Sequence, residues 1–528
     1  MGGDLTPIYQ RTPDGGIPAV DDDALRVALD PAMVLPYRVA WWAGQESARP
    51  FLQEVTGLSL TYGEAWHRVL RWATWLTELG LRRGDRLVTM LPASADAVLC
   101  WLAAGLLGVV EVPVNPELRG EFLTHVLTDS AARLALVRPE FRPLLSAAAI
   151  PVVTAEREAG LPPDPAALPG YPAVTDPACV IYTSGTTGPS KGVVLSWAQL
   201  SANIGRIPRS WLSGNDAVYC SHPMFHVTGR SPVVVMTDVG GRVVLRERFS
   251  ASAFLPDVRA FGCTSTTVQS GLVLATPESP DDRENPLRVA YAGHNIEMAR
   301  RFGARFNVHV IDAYGSTEAG FPIVRRWTPD RGGNRCGRLR RGYQARIVGP
   351  DGNDVPGGTA GELWIRPPAR PLMMLEYLRH PGATAAAIAG EWYRTGDVMI
   401  RHPGGEFEFL DRKRDTIRRL GENISASAVE SAVAADPEVA DCAVLGVPDP
   451  IAGYEVLLAV VPRHAAGHGG FDPSALYARL SDRLPRYAWP AYIVVCRSLP
   501  KTPTHKVRKA GLLDTLDLGS AWRPPARR

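Results

Sequence analysis

The stretch IYTSGTTGPSKGVV, from Ile181 to Val194, crowds the hydroxyls of Thr183, Ser184, Thr186 and Thr187 around two glycines, Gly185 and Gly188, ahead of one cation, Lys191. Glycines let backbone N–H groups turn inward, hydroxyls add donors and lysine adds charge, a combination suited to retaining phosphates. The common phosphate loop, GxxxxGK[ST], is absent: Ser190 stands five positions after Gly185, and Val193 five after Gly188. The flanks CVIY and GVVLS both read as β, which predicts a hairpin rather than a loop opening a helix. On composition alone, a flexible surface hairpin is the alternative.

The elements that must hold such a loop are legible around it. Helical stretches such as YGEAWHRVLRWATWLTELG, from Tyr62, alternate with short apolar strands such as DRLVTML, from Asp85, the rhythm of helices packed on a mostly parallel sheet. The expected class is α/β. From Ile347 the texture changes to strands joined by PDG, PGG and GEL turns, read as a smaller β region of the same large unit. The basic knot LDRKRDTIRRLGENIS, from Leu410, separates this from a last segment with two helices and two strands, enough for a small α+β domain. The expected division is a large unit over 1–411, with a loose lead-in over 1–34, a hinge at 412–414 and a small mobile domain over 415–528.

Composition limits the function. A chain of 528 residues exceeds one ordinary domain of roughly 100–200 residues. Lys plus Arg number 57 against 54 Asp plus Glu, so no field recruits nucleic acid or an acidic membrane. The seven cysteines are scattered singly without metal-ligand spacing, which fits a reducing compartment. The amino terminus shows no secretory pattern, and a cytoplasmic location is expected. The most apolar run, about 97–110, is shorter than the ~20 residues of a membrane span and reads as a buried helix.

YTSGTTGPSKG resembles the signature of the adenylate-forming superfamily, which includes acyl-CoA synthetases, luciferases and peptide synthetase adenylation domains. YGSTE from Tyr314, GELWIR from Gly361, EWYRTGD from Glu391, DRKRDTIRRLGENIS from Asp411 and LPKTPTHKVRK from Leu499 follow in that family's order. PMFHVTGR, RENPLRVAY and GENIS are most similar to the crotonobetaine/carnitine CoA ligase group. The resemblance implies that Thr183 to Lys191 hold the triphosphate of ATP, Tyr314 stacks on adenine beside Gly315 and Ser316, and Thr317 contacts the α-phosphate. It further implies that Glu318 binds Mg2+, and that Asp397 and Arg412 reach the ribose hydroxyls. Arg414 takes the hinge position, and Lys506 is the lysine that bridges the carboxylate and the α-phosphate. After adenylation the small domain is expected to rotate, bringing Gly421 to the tunnel through which the thiol of coenzyme A arrives, with Arg418 and Arg419 as candidates for its phosphates.

His226 falls where relatives keep an aromatic or a histidine between the carboxylate pocket and that tunnel. Val227, Arg230, Gly293, His294 and Asn295 are the other expected pocket residues. Arg230 has two readings, a second acidic group on the substrate or a partner within the protein or solvent. YAGHN replaces the common GGAP, Leu420-Gly421 the common GG, Ala428 a usual Glu and His505 a usual Gly. The resemblance thus implies an ATP- and Mg2+-dependent ligase, monomeric or homodimeric, that joins a small carboxylate to coenzyme A. The alternative passes the activated species to an amine or carrier protein, or activates nitrite as diazotases do.

Overall fold

The computed structural model describes residues 28–146, 148–155, 170–183, 189–207, 211–268, 270–291, 296–326, 335–412, 416–463, 471–500, 507, 509 and 511–525. Among these residues the strands form sheets of 14, seven and five strands.

Strands Ala217–Cys220, Arg242–Leu245, Ser265–Thr267, Val289–Tyr291 and His309–Ser316 run parallel in the largest sheet. Helices Val227–Val239, Ala251–Ala260 and Ile296–Phe306 lie between them in sequence. Parallel neighbours need a crossover of a dozen or more residues, and these helices supply it. Beyond Gly320 the sheet continues antiparallel through Gly320–Arg326, Arg335–Leu339, Glu406–Arg412, Trp392–Arg401, Ala360–Arg366 and Gln344–Val348. The expected small β region therefore extends the parallel sheet rather than standing apart from it.

The seven-stranded sheet runs parallel through Val110–Pro113, Arg86–Met90, Leu134–Val137 and Val152–Thr154. It ends on the hairpin Pro177–Thr183 and Lys191–Ser196, edged by Glu376–Tyr377. The apolar run near residue 100 forms the helix Ala95–Leu107, started by the Ser94 hydroxyl and buried nearly throughout. Trp101 stacks on Trp197 there, ring centroids 5.5 Å apart. No helix among the described residues is long and apolar enough to cross a membrane. The helix from Tyr62 begins on a capping box in which Thr61 and Glu64 satisfy each other's backbone N–H, a device legible in TYGE.

The large sheet ends at Arg412 and the five-stranded sheet begins at Thr416. Val439–Asp449 and Gly453–Pro462 form its long central hairpin. Helices Ala426–Ala434 and Pro473–Ser481 lie over one face, where Val429, Val433, Leu476 and Leu480 pack on Val444, Leu458 and Val460. This smaller lobe has its own core and meets the rest of the chain through the segment after Thr416 and through Phe122.

Candidate active site

A cavity of about 700 Å³ opens where the carboxyl ends of the parallel strands in both large sheets face the small lobe. Crevices at that edge of an open α/β sheet are the usual place for a ligand.

The hairpin expected from sequence is present: Thr183 pairs with Lys191 in antiparallel register, and both line the cavity. Gly192 is fixed by packing, since a Cβ there would lie 2.7 Å from Val180 Cγ1. Ser184, Gly185, Thr186, Thr187 and Gly188 lie outside the described residues.

Across the cavity, Tyr314, Gly315 and Ser316 end a strand, and Thr317 and Glu318 form the turn that follows. The turn is so tight that a Cβ on Gly315 would come 2.1 Å from the Gly320 carbonyl oxygen. The buried Gln199 holds it from behind, its Nε2 donating to the carbonyls of Thr317 at 2.8 Å and Glu318 at 3.2 Å. The Met374 N–H also donates to the Glu318 carbonyl, at 2.7 Å. The Tyr377 hydroxyl donates to Glu318 Oε1 at 3.0 Å, and Lys191 Nζ stands 5.5 Å from the centre of the Tyr377 ring. Hairpin cation, tyrosine and carboxylate thus form one polar wall.

The Tyr314 hydroxyl donates to Asp397 Oδ2 at 2.6 Å. Asp397 is buried, and its Cα is paired across the strands with that of Arg412, the two residues expected at the ribose. Gly396, at φ +72, lies within strand Trp392–Arg401 where its register with Ala360–Arg366 shifts, and its N–H donates to Glu362 Oε1 at 3.2 Å.

His226 is the N-cap of helix Val227–Val239, and Val227 lines the cavity beside it. The small lobe answers with the hairpin Thr416–Arg419 and Glu422–Ser425, whose two-residue turn is Leu420-Gly421. Both turn residues have positive φ, +49 and +89, as a tight hairpin of this hand requires. A Cβ on Gly421 would point into open space, so its missing side chain keeps part of the cavity clear. His226 Nε2 lies 2.8 Å from Glu422 Oε1, bridging the lobes. Burial by itself would lower the pKa of this imidazole; the charge and hydrogen bond of Glu422 outweigh burial and the repulsion of Arg418, so the net direction is upward. The cavity also reaches between the lobes, past Leu118, Phe122 and Val126 on one side and Ile424, Val429 and Ala488 on the other.

Two expectations are corrected. Arg230 does not line the cavity: its side chain is 0% exposed, and NH2 pairs with Glu111 Oε2 at 2.7 Å while Nε donates to the Met224 carbonyl at 2.7 Å. The guanidinium lies over Trp101, 4.4 Å from its centroid, so the partner is internal. Arg419 likewise faces inward, with two hydrogen bonds to Glu455 and one to the Tyr487 carbonyl, which leaves Arg418 as the cavity-lining arginine of the pair. Gly293, His294, Asn295, Arg414 and Lys506 lie outside the described residues. Gln199, Tyr377 and Glu422 were not singled out from sequence; Glu422 stands in the GENIS motif, whereas Gln199 and Tyr377 join the site across 118 and 59 residues, contacts that no local pattern carries.

A match to the AMP-binding enzyme family covers residues 39–378, and one to the AMP-binding enzyme C-terminal domain covers 428–506. Medium/long-chain-fatty-acid–CoA ligase FadD17 of Mycobacterium marinum is 35% identical over 442 residues, 80% of this chain and 85% of that protein. Sulfoacetate–CoA ligase of Cupriavidus necator is 31% identical over 512 residues, 92% and 97% of the two chains. Crotonobetaine/carnitine–CoA ligase of Salmonella paratyphi C, the group suggested by PMFHVTGR, is 26% identical over 86% of this chain and 92% of its own. Among solved structures, amide bond synthetase McbA of Marinactinospora thermotolerans superposes with a TM-score of 0.80 at 26% identity, covering 90% of this chain and 98% of McbA. With the family match spanning most of the large lobe and a second match on the small one, the chain belongs to the AMP-binding enzymes, the adenylate-forming superfamily.

Proposed function

We propose that the protein is an ATP-dependent acid–CoA ligase: a carboxylate oxygen displaces pyrophosphate from the α-phosphorus of ATP, and the thiol of coenzyme A then attacks the acyl carbon, losing its proton as AMP departs. The observation that carries this reading is the convergence, in one cavity, of the hairpin ends Thr183 and Lys191, the Glu318 wall, Asp397 with the Tyr314 hydroxyl donating to it, and the Gly421–Glu422 turn of the second lobe. Similarity to CoA ligases of 26–35% identity supports it.

Each residue has a part that follows from its chemistry. The hydroxyls of the hairpin and the Lys191 ammonium retain the triphosphate. Glu318 is a hard oxygen donor beside that hairpin, which fits Mg2+, an ion commonly held by one or two carboxylates together with substrate phosphates. A bound Mg2+ would supply positive charge against the phosphate oxygens. Asp397, with two acceptor oxygens, takes the ribose hydroxyls, and Tyr314 stacks on the base. Rotation about the hinge serves both half-reactions in turn: Lys506 enters the cavity for adenylation, and the Gly421 turn replaces it there for thiol transfer. The boundaries 1–411, 412–414 and 415–528 belong to this proposal, supported by the change of sheet between Arg412 and Thr416.

Pyrophosphate exchange against a panel of carboxylic acids tests the first step, and mass spectrometry of products formed with coenzyme A tests the second. The likeness to an amide bond synthetase supports a second reading, an amine acceptor. Product analysis with coenzyme A and amines in competition decides between them: a dominant thioester supports the ligase, a dominant amide replaces it.

A further inference from the structure

Helix Gly120–Ser130 carries Phe122 and Val126 at the cavity wall. His125 and Asp129, one helical turn apart on the same helix, reach instead the two strands of the phosphate hairpin. His125 Nε2 lies 2.7 Å from the Ser190 carbonyl oxygen. A carbonyl only accepts, so the imidazole donates, and it holds the residue immediately before Lys191. Asp129 Oδ2 accepts from the hydroxyl of Tyr182, the residue immediately before Thr183, at 2.7 Å. Burial first, and then the Asp129 carboxylate, push the Tyr182 phenol above its ordinary value, so the hydroxyl stays a donor.

The other oxygen of Asp129 lies 3.0 Å from His380 Nε2. Arg379 Nη1 donates to two carbonyls of the helix's last turn, Thr128 at 3.2 Å and Asp129 at 3.3 Å. The segment tied in this way begins at Tyr377, whose hydroxyl donates to Glu318. Within it the His380 N–H donates to the Tyr377 carbonyl at 3.0 Å, and the Leu378 N–H donates to the Gly192 carbonyl of the hairpin at 2.7 Å. One helix thus braces both strands of the hairpin and the tyrosine of the polar wall.

We infer that His125 and Asp129 are positioning residues for ATP, gripping from one helix the two strands that end at Lys191 and Thr183. This inference rests on the ligase reading above, in which the hairpin and Glu318 receive the triphosphate. Neither residue lines the cavity; His125 acts through Ser190 and Lys191, and Asp129 through Tyr182 and, by way of His380, Tyr377, all of which do line it. Holding the flanking strands before the nucleotide arrives reduces the conformational entropy that binding must overcome. Thiol transfer starts from an acyl-adenylate, which has no β- or γ-phosphate for the hairpin to hold, so the brace serves the first half-reaction.

The test compares two reactions of the full-length enzyme: ATP-dependent AMP release on a carboxylic acid that the native protein uses, and thioester formation from separately supplied acyl-adenylate and coenzyme A. His125→Phe keeps a ring and removes the donor. It should raise the KM for ATP by about 10-fold, the order expected when one polar partner is left unmatched, and change thioester formation by less than about twofold. His125→Gln, whose amide can donate again, should recover most of the loss. Tyr182→Phe releases the hairpin alone from Asp129 and should raise the same KM by about 3- to 10-fold. Native ATP affinity in either phenylalanine variant would overturn the inference. So would a parallel loss of both half-reactions, or a His125→Gln no better than His125→Phe, since each marks a residue that only supports the fold. Should no acid release AMP, the ligase reading falls, and ATP titrated calorimetrically into the native protein and His125→Phe still decides the brace: weaker binding by the variant supports it, equal binding overturns it.

Discussion

His226 and Arg230 stand four residues apart, and each is paired with a glutamate, yet the two ion pairs belong to different worlds. Arg230–Glu111 has side-chain exposures of 0% and 2%, lies wholly within the large lobe and is backed by Thr89, whose hydroxyl donates to Glu111 Oε1 at 2.6 Å. His226–Glu422 has exposures of 31% and 21% and joins the two lobes. A fully desolvated pair with every neighbour fixed cannot open without leaving a bare charge in the core. A half-solvated pair can, because water replaces the lost partner. The first is locked inside the large lobe; the second is the one that the proposed rotation of the small lobe would break.

The largest expected effect would come from breaking the buried pair. Arg230→Met leaves the Glu111 carboxylate stranded and should cost about 3 to 5 kcal/mol of unfolding free energy, read as a lower urea midpoint. Pairing it with Glu111→Leu should recover much of that loss. Glu422→Gln, by contrast, should cost ~1 kcal/mol or less in the same assay. Equal losses from Arg230→Met and Glu422→Gln would erase the distinction between the pairs.

Next in size is the residue that the turning lobe is proposed to deliver. Lys506→Ala should lower pyrophosphate exchange by on the order of 10² to 10³, with ATP binding retained. Thioester formation from separately supplied acyl-adenylate should survive, because that half-reaction uses the orientation in which Gly421 and Glu422 line the cavity. Equal loss of both half-reactions would mean that the lobe does not divide its work between two orientations.

What the sequence disclosed, and what it concealed, follows the same division. Thr183, Lys191, Gly315–Glu318 and Asp397, which line one cavity, stand out in the sequence because each lies in a short run with its own turn chemistry, such as the glycine that alone fits beside the Gly320 carbonyl. The β flanks of the hairpin also foretold its pairing. Arg230, four residues after His226, carried two readings, and a spacing of one helical turn does not decide between them. That spacing counts only within a helix, and His226, at φ −117 and ψ 149, is the extended residue that precedes it. Its imidazole leaves toward the small lobe while Arg230 turns to Met224 and Trp101. Gln199, Tyr377 and Glu422 join the site only through long-range packing or the docking of one lobe on another.

A smaller effect sharpens the contrast through pH. His226 titrates above the ordinary imidazole value in this lobe orientation, so the Glu422 contact contributes fully below that ordinary value and fades as pH rises through the raised one. The expected profile is a second half-reaction that weakens on the alkaline side of the His226 titration, with stability of the buried pair unaffected. In Glu422→Gln the imidazole should titrate lower, since burial and Arg418 then act without opposition, and NMR of the ring protons reads this directly. An unchanged His226 titration would sink the assignment of Glu422 as its partner.

The smallest expected effect lies in the turn that carries Glu422. Leu420 has φ +49, a backbone that costs a residue with a Cβ ~1 kcal/mol or more, where glycine carries almost none of that cost. Its N–H donates to the Ala452 carbonyl at 2.9 Å, which holds the strained turn against the small lobe's own sheet rather than against the large lobe. Leu420→Gly should therefore relax the turn and slow amide exchange at Glu422, whose position depends on it, while leaving exchange around Arg230 and Glu111 untouched. Faster exchange at Glu422 would mean that the Leu420 side chain, packed at the cavity edge, holds the turn more firmly than its backbone strain loosens it. The latch would then owe its hold to apolar contact as much as to charge.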